Sequence, residues 1–454
     1  MDTTIAAIAT PLAMGGVGMI RISGPESYEI AGKVFSPVSG KDVRQQKGYT
    51  ALFGHIHDRG RTVDEAVALF FRAPHSYTGE DVVELSCHGG VAVLREVLRC
   101  VLDAGAVMAG PGEFSKRAVL GGKMTLTQAE GVMELISAKT RQGVAAALSA
   151  MDGRLYRTTS AIKQSLLEVA AQMAAYVDYP DEDIPDLEGQ VLGKTLGLAE
   201  DRLAALLDSF DTGKMLQQGI ETAIVGRPNV GKSTLMNLLA GCDKSIVTQI
   251  PGTTRDVVEE VVELGEVVLR LADTAGLRET DDPVERIGVE RSVQKLDRAA
   301  LILALFDYST PLAGEDWELL EKIAGRPAVV VVNKTDLPCA IDLDELREKV
   351  PQVVLMQASS GQGLEELQQA IYTATALGHL DMDSGVLVGE RQRQSAVQAL
   401  AAVRGARQAL QMGMTYDAVA VDIDAAVEAL SELTGESASQ QVIDTVFANF
   451  CVGK

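Results

Sequence analysis

Aromatic residues are scarce in this sequence, 4% of 454 with a single tryptophan, so its cores must be filled mainly by aliphatic side chains. Cysteine is scarce too. Cys87, Cys100, Cys242, Cys339 and Cys451 lie far apart, with no CxxC pair and no histidine at ligand spacing, which excludes a disulfide framework or zinc site and points to a reducing cytoplasm. His55, His57, His75 and His88 form no metal set and read as surface or turn residues. Long apolar runs are missing: "AALILALF" is far below the ~20 residues of a membrane span, and the start "MDTTIAAIATPLAM" lacks the basic and apolar regions of a signal peptide. A soluble chain with no membrane is expected. Positive charge is in deficit, 41 Lys+Arg against 63 Asp+Glu, a net −22. That excludes a surface that grips nucleic acid throughout and leaves room for a local basic patch.

What is present is length and alternation. The chain is about three times the ~150 residues of one domain, so two to four domains are expected. Residues 1–120 read as short strands between Gly/Pro turns ("TTIAAIAT", "GVGMIRIS", "TALFGHIH", "VDEAVALFF", "DVVELSC"), an α+β domain. From 121 to 216 the texture is Ala, Leu, Gln and Glu at helical spacing; "TLTQAEGVMELISAKTRQGVAAALSAM" and "LGKTLGLAEDRLAALLDSF" predict long helices. Between 217 and 375 apolar runs ("ETAIVG", "VVLRLAD", "LILALF", "AVVVVNK", "VVLMQAS") alternate with helical stretches, the pattern of a parallel α/β sheet with helices on both faces. Helical composition resumes over 376–454. The α/β segment therefore reads as an insertion in an all-helical domain. The acidic stretch Asp178–Gly189 reads as a solvated loop, and no internal repeat is visible.

"GRPNVGKS", Gly226–Ser233, follows a strand and opens a helix, the context that gives GxxxxGK[ST] its meaning. Its glycines let the backbone wrap phosphates, Asn229, Val230, Gly231 and Thr234 line the same loop, Lys232 reaches the β- and γ-phosphates, and Ser233 can ligate Mg²⁺. Three further motifs follow in the order a GTPase requires: "PGTTRD" from Pro251, "DTAG" at Asp273–Gly276 and "NKTD" at Asn333–Asp336. Thr254 completes the Mg²⁺ shell, Asp273 supports the metal, and Gly276 offers its N–H to the γ-phosphate. Guanine is selected because Asp336 accepts from its N1–H and exocyclic amine, where adenine offers a mismatched edge. Thr248, Gln249, Ile250, Pro251, Gly252, Thr253, Thr274, Ala275 and Lys334 complete the expected nucleotide site. Gln357, Ala358 and Ser359 stand where a Ser-Ala motif usually contacts the base, with Gln in place of Ser. Leu277 follows Gly276 where a glutamine commonly orients the attacking water. Either the domain binds GTP with little turnover, or another polar group in "LRETDDPVERIGVER" supplies that function.

With "GGVGMIRISG", "YTGEDVVELSCHGG", "PGEFSKRA", "DTAGLRET", "VERIGVER" and the terminal "FCVGK", the whole chain resembles the bacterial and organellar tRNA-modification GTPases called MnmE or TrmE. The resemblance implies an N-terminal domain (1–120) that dimerises and binds 5-formyl- or 5,10-methylene-tetrahydrofolate through Arg21, Glu84, Lys123 and Lys454. It also implies a helical domain (121–216 and 376–454) and an inserted Ras-like GTPase domain (217–375). Two GTPase domains would meet across K⁺, ligated by Asn229, Thr248, Ile250 and Thr253, and Glu285 would orient water, joining Lys232, Thr254 and Gly276 as the catalytic set. A flavoprotein partner resembling MnmG or GidA would carry FAD, and the pair would install an aminomethyl-type group on C5 of the wobble uridine of certain tRNAs. Met14 stands where many relatives have Arg. Cys451 is a candidate thiol in the CVGK ending, where Gly453 and Lys454 disfavour prenylation. The rival expectation is a regulatory or ribosome-assembly GTPase with no part in modification.

Overall fold

The computed structural model describes residues 3–178, 189–241, 260–265, 267–271, 299–375, 385–387 and 389–453. It divides into two compact units, one of Met1–Met133, Thr159–Ala171 and Ala420–Lys454, the other of Glu134–Thr158 and Gln172–Val419.

The first unit is built on a seven-stranded sheet of order β3-β4-β5-β6-β2-β1-β7. Its strands are β1 (Ile5–Ile8), β2 (Val17–Ser23), β3 (Phe35–Pro37), β4 (Thr50–Asp58), β5 (Arg61–Phe71), β6 (Val82–His88) and β7 (Val107–Met108). All neighbours are antiparallel except the β1–β7 pair. Period-two alternation in "VGMIRIS" decides which face each side chain takes. Ile20 and Ile22 join Val83, Leu85 and Phe70 in a core covered by α1 (Ser27–Val34) and α2 (Val91–Asp103). Gly18 is needed there, because a Cβ would stand 2.5 Å from Leu94 Cδ2 on α2. Cys87 and Cys100 lie in the same core, and burial pushes the Cys87 thiol up to about 11. The other face carries a smaller core of Ile5, Ala7, Ala109 and Phe114 with Tyr77, closed by α3 (Glu113–Leu120). The chain end packs in this unit too: Ile443, Phe447 and Phe450 form a cluster with Leu126 and Ala129.

Central to the second unit is a six-stranded sheet of order β13-β12-β11-β8-β10-β9. Its strands are β8 (Ile220–Val225), β9 (Glu260–Leu264), β10 (Val267–Leu271), β11 (Leu301–Asp307), β12 (Ala328–Asn333) and β13 (Val353–Met356). Every residue of β11 and β12 is buried, as a parallel strand covered on both faces requires. Leu301, Leu303, Leu305, Val329 and Val331 serve one core and Ile302, Ala304, Phe306, Val330 and Val332 the other. The sheet departs from the all-parallel expectation at one edge. β9 runs antiparallel to β10, since the interval between them is too short for a crossover and permits only a hairpin.

The helical stretch expected over 125–151 is also divided, into α4 (Leu126–Ser137) and α5 (Arg141–Met151). Thr140 makes the break: its hydroxyl accepts from Gly143 N–H at 2.6 Å as the N-cap of α5 and donates to the carbonyl of Leu216. Leu216 belongs to the 30-residue α7 (Gly189–Gln218), which follows α6 (Arg154–Asp178). Thr140→Ala removes both bonds and leaves the buried Leu216 carbonyl without this partner. We expect a loss of about 1–2 kcal/mol, read as a lower urea midpoint at unchanged slope; an unchanged midpoint would contradict this role.

Candidate functional site

The loop between β8 and α8 (Lys232–Gly241) is shaped by residues that accept unusual backbone angles. Gly226 has φ 148 and a Cβ there would stand 2.4 Å from the Leu305 carbonyl oxygen; Gly231 has φ 100 and a Cβ would stand 2.2 Å from Asn333 Nδ2. Asn229 is left-handed at φ 63, a conformation Asn tolerates better than most residues. Leu235, Met236 and Leu239 are buried and anchor α8, so its free N–H groups face the loop, a favourable setting for an anion. The Lys232 ammonium donates to the carbonyls of Gly226 and Arg227, both at 2.8 Å. Ser233 and Thr234, at the head of α8, are exposed.

Asn333 joins this loop to the segments that carry Lys334–Asp336 and Gln357–Ser359. It closes β12, is 3% exposed, donates from Nδ2 to the Val230 carbonyl at 3.0 Å and accepts at Oδ1 from Ala358 N–H at 2.9 Å. An aspartate could not make the first bond. Next to it, Lys334 is left-handed at φ 68 and its ammonium donates to Asp307 Oδ2 at 2.7 Å. Burial pushes the Asp307 carboxyl upward, but the bonds from Lys334 and Ser309 outweigh it and hold the group below its usual range. Asp336 is exposed beyond them. Gln357 donates its own N–H to the Gln362 carbonyl at 2.9 Å, and its Nε2 lies 3.3 Å from Ser359 Oγ as donor. The residues of the two loops are thus held around one buried carboxamide.

Sequence reasoning missed two supports of this site. Arg227, inside the phosphate loop, forms an ion pair at 2.9 Å with Asp316, which is 1% exposed and also accepts from Ala313 N–H at 2.9 Å. Asp307 was missed as well. Spacing carries no signal for either, since the partners lie far apart in the chain. Thr248, Gln249, Ile250, Pro251, Gly252, Thr253, Thr254, Asp273, Thr274, Ala275, Gly276, Leu277, Glu285 and Lys454 lie outside the described residues.

A second constellation occupies the first unit. Arg21 and Glu84 are register partners on β2 and β6, and Arg21 Nε lies 2.8 Å from Glu84 Oε1 with both side chains mostly buried. The guanidinium carbon lies 5.4 Å from the Tyr77 ring centre and 5.6 Å from that of Phe114, and Nη1 donates to the Gly453 carbonyl at 3.2 Å. The chain end thereby lies beside this pair. Val452 bridges to Pro111, Gly112 N–H donates to the Cys451 carbonyl at 3.3 Å, and Gly453, at φ 98, passes so close to β1 that a Cβ would stand 2.4 Å from the Ile8 carbonyl oxygen. The turn that receives it is fixed by Arg117, 3% exposed, which donates to Thr3, Glu80 and Glu113, while Glu113 accepts from Gly110 N–H at 2.7 Å. Lys123 is exposed and donates to the Pro74 carbonyl at 3.0 Å rather than to the Glu84 carboxylate. Met14 and Cys451 are exposed.

Comparison with known proteins gives one answer along the chain. Residues 4–123 match the family model described as GTP-binding protein TrmE N-terminus, and residues 126–451 match the MnmE helical domain. Among curated proteins the chain is similar to the tRNA modification GTPase MnmE of Heliobacterium modesticaldum, 43% identical over 99% of each chain. It is equally similar to that of Geobacillus kaustophilus, 43% identical over 99% of each. The Bacillus subtilis protein of the same name is 40% identical over 100% of each. Such identity, sustained from end to end and across both family models, leads to one conclusion: the chain belongs to the MnmE family of tRNA modification GTPases.

Proposed function

We propose that this GTPase of tRNA modification hydrolyses GTP to GDP and phosphate in a K⁺-dependent manner. With a flavoprotein partner, it uses that cycle to add an aminomethyl or carboxymethylaminomethyl group to C5 of the wobble uridine of certain tRNAs. The observation that carries the reading is end-to-end identity to curated tRNA modification GTPases, on a chain whose phosphate loop and NKTD segment are joined through Asn333.

Each residue then has a task. Lys232 exchanges the Gly226 and Arg227 carbonyls for the β- and γ-phosphates, and the head of α8 adds its N–H groups. Asp336 accepts from the guanine edge while Lys334, Gln357, Ala358 and Ser359 border the base. Ser233, exposed at the start of α8, suits a hard cation with its hydroxyl, and Thr254 completes that Mg²⁺ set. Asn229, exposed and left-handed, presents a carboxamide oxygen suited to K⁺, joined by Thr248, Ile250 and Thr253. The bound cation supplies positive charge where other GTPases place an arginine. Glu285 orients the attacking water, a task the side chain of Leu277 cannot perform.

In the first unit, the carboxylate of Glu84 suits the amide and amino group of a pterin, and the cations Arg21, Lys123 and Lys454 suit the carboxylates of a folate tail. On this reading Cys451, exposed in the chain end whose Gly453 carbonyl accepts from Arg21, is a candidate thiol for the same chemistry. We place the domains at 1–120, 121–216 with 376–454, and 217–375, and read the protein as a cytoplasmic homodimer whose partner, similar to MnmG or GidA, carries FAD. The acidic balance fits a division of labour in which that partner makes most of the tRNA contacts.

Three outcomes check this reading. tRNA from cells lacking the protein should lose the modified wobble uridine by nucleoside mass analysis; unchanged nucleosides would return the chain to the class of regulatory switches. GTP turnover should be far faster in K⁺ than in Na⁺, and Glu285→Ala should bind GDP normally while losing at least roughly 100-fold in turnover; equal rates in the two salts, or full activity in the variant, would reject the respective role. Gly453→Ala should weaken folate binding in a direct titration by about 10-fold or more while GTP hydrolysis persists, because its Cβ cannot fit against Ile8; native folate affinity would detach the chain end from that site.

A further inference from the structure

Lys334 is held at both ends. Its backbone is left-handed at φ 68, and its ammonium donates to Asp307 Oδ2 at 2.7 Å. Asp307 ends β11 with its side chain 10% exposed, and its two oxygens divide the work. Oδ1 accepts from Ser309 N–H at 2.9 Å and from the Ser309 hydroxyl at 2.7 Å, closing the turn that follows the strand, and Oδ2 is left to the ammonium. The backbone of the same two segments is joined as well, by Tyr308 N–H to the Asn333 carbonyl at 2.9 Å. A free lysine stem samples many rotamers, and ordering it is a cost that binding must otherwise meet. With backbone and ammonium both held, the partly exposed Lys334 stem can offer its methylenes as an ordered apolar surface. A planar purine can lie against such a surface with no further ordering.

We propose that Asp307 is a positioning residue for nucleotide recognition, acting through its ion pair with Lys334 and touching no part of the nucleotide itself. The inference rests on the GTP-binding reading of the same site and adds to it a residue outside every nucleotide-binding motif of the sequence. It also accounts for a carboxylate buried at the end of an otherwise apolar strand, where an unpaired charge would be costly.

Asp307→Asn isolates the pair. The amide oxygen can keep both Ser309 bonds, so the turn survives, while the amide nitrogen faces the ammonium as donor against donor. With a fluorescent N-methylanthraniloyl-GDP as probe and the full-length protein, we expect the dissociation constant to rise about 10-fold, with KM for GTP rising in parallel and kcat at saturating GTP within about 2-fold of wild type. Lys334→Met combined with Asp307→Asn should bind no more weakly than Lys334→Met alone, because the carboxylate then has nothing left to position. Asp307→Glu, which keeps the charge but moves it by one methylene, should recover part of the affinity and gives the same comparison if the Asn variant fails to fold. Wild-type affinity in Asp307→Asn, or losses that multiply in the double variant, would overturn the proposal. Failure of the wild-type protein to bind the probe would instead overturn the nucleotide reading on which it rests.

Discussion

The nucleotide site depends on the two hydrogen bonds of one carboxamide. Asn333 donates a hydrogen bond to the Val230 carbonyl in the phosphate loop and accepts one from Ala358 N–H in the segment after β13, and Gly231 passes so close to it that no side chain fits there. Each bond contributes about 1 kcal/mol net, but breaking them strands buried partners at about 1–3 kcal/mol each, which exceeds what was gained. The larger cost lies in what they align. β8, β11 and β12 are parallel neighbours, so their carboxyl ends emerge at one edge of the sheet, where α/β folds bind ligands. The apolar strands bring the loops to that edge; Asn333, the Arg227–Asp316 pair and the Lys334–Asp307 pair set their spacing.

The first unit solves a different problem, that of holding a chain end against strands from the chain's beginning. The Arg21 bond to Gly453 spans 432 residues, and a bond worth about 1 kcal/mol cannot organise such a closure. Apolar burial does so. Ile443, Phe447 and Phe450 are each at most 8% exposed, and each contributes roughly 1.5–3 kcal/mol on burial. Once they are seated, two glycines carry the tail through: Gly112, where a Cβ would stand 2.7 Å from Phe450 Cβ, and Gly453 against Ile8. The CVG segment, expected from the family resemblance to serve the folate site, is thereby placed beside a mostly buried Arg–Glu pair, which is the setting that the proposed folate chemistry calls for.

How much of this could be read beforehand follows from the range of each interaction. Runs such as "LILALFD" and "AVVVVN" announce buried parallel strands because their physics is local, and the phosphate loop is legible because wrapping an anion demands glycines at fixed spacing. Thr140 looked like one more residue of a long helix because its second partner, Leu216, is 76 residues away. β9 escaped notice since "EVVEL" is short and charged at two of its five positions, and an edge strand needs only one apolar face. The meeting of Arg21 with Glu84 depends on register between β2 and β6, and that of Asp307 with Lys334 on register between β11 and β12. Register is set by the whole sheet, so neither pair is visible in local composition.

The central claim is that GTP hydrolysis in one part of this chain serves uridine chemistry to which its other part contributes. Its most direct test is reconstitution of full-length protein with the flavoprotein, K⁺, a tetrahydrofolate one-carbon donor and unmodified tRNA, read by nucleoside mass analysis. The account predicts modified wobble uridine with GTP and little or none when a non-hydrolysable GTP analogue replaces it. Equal modification with the analogue, or in the absence of this chain, would contradict it.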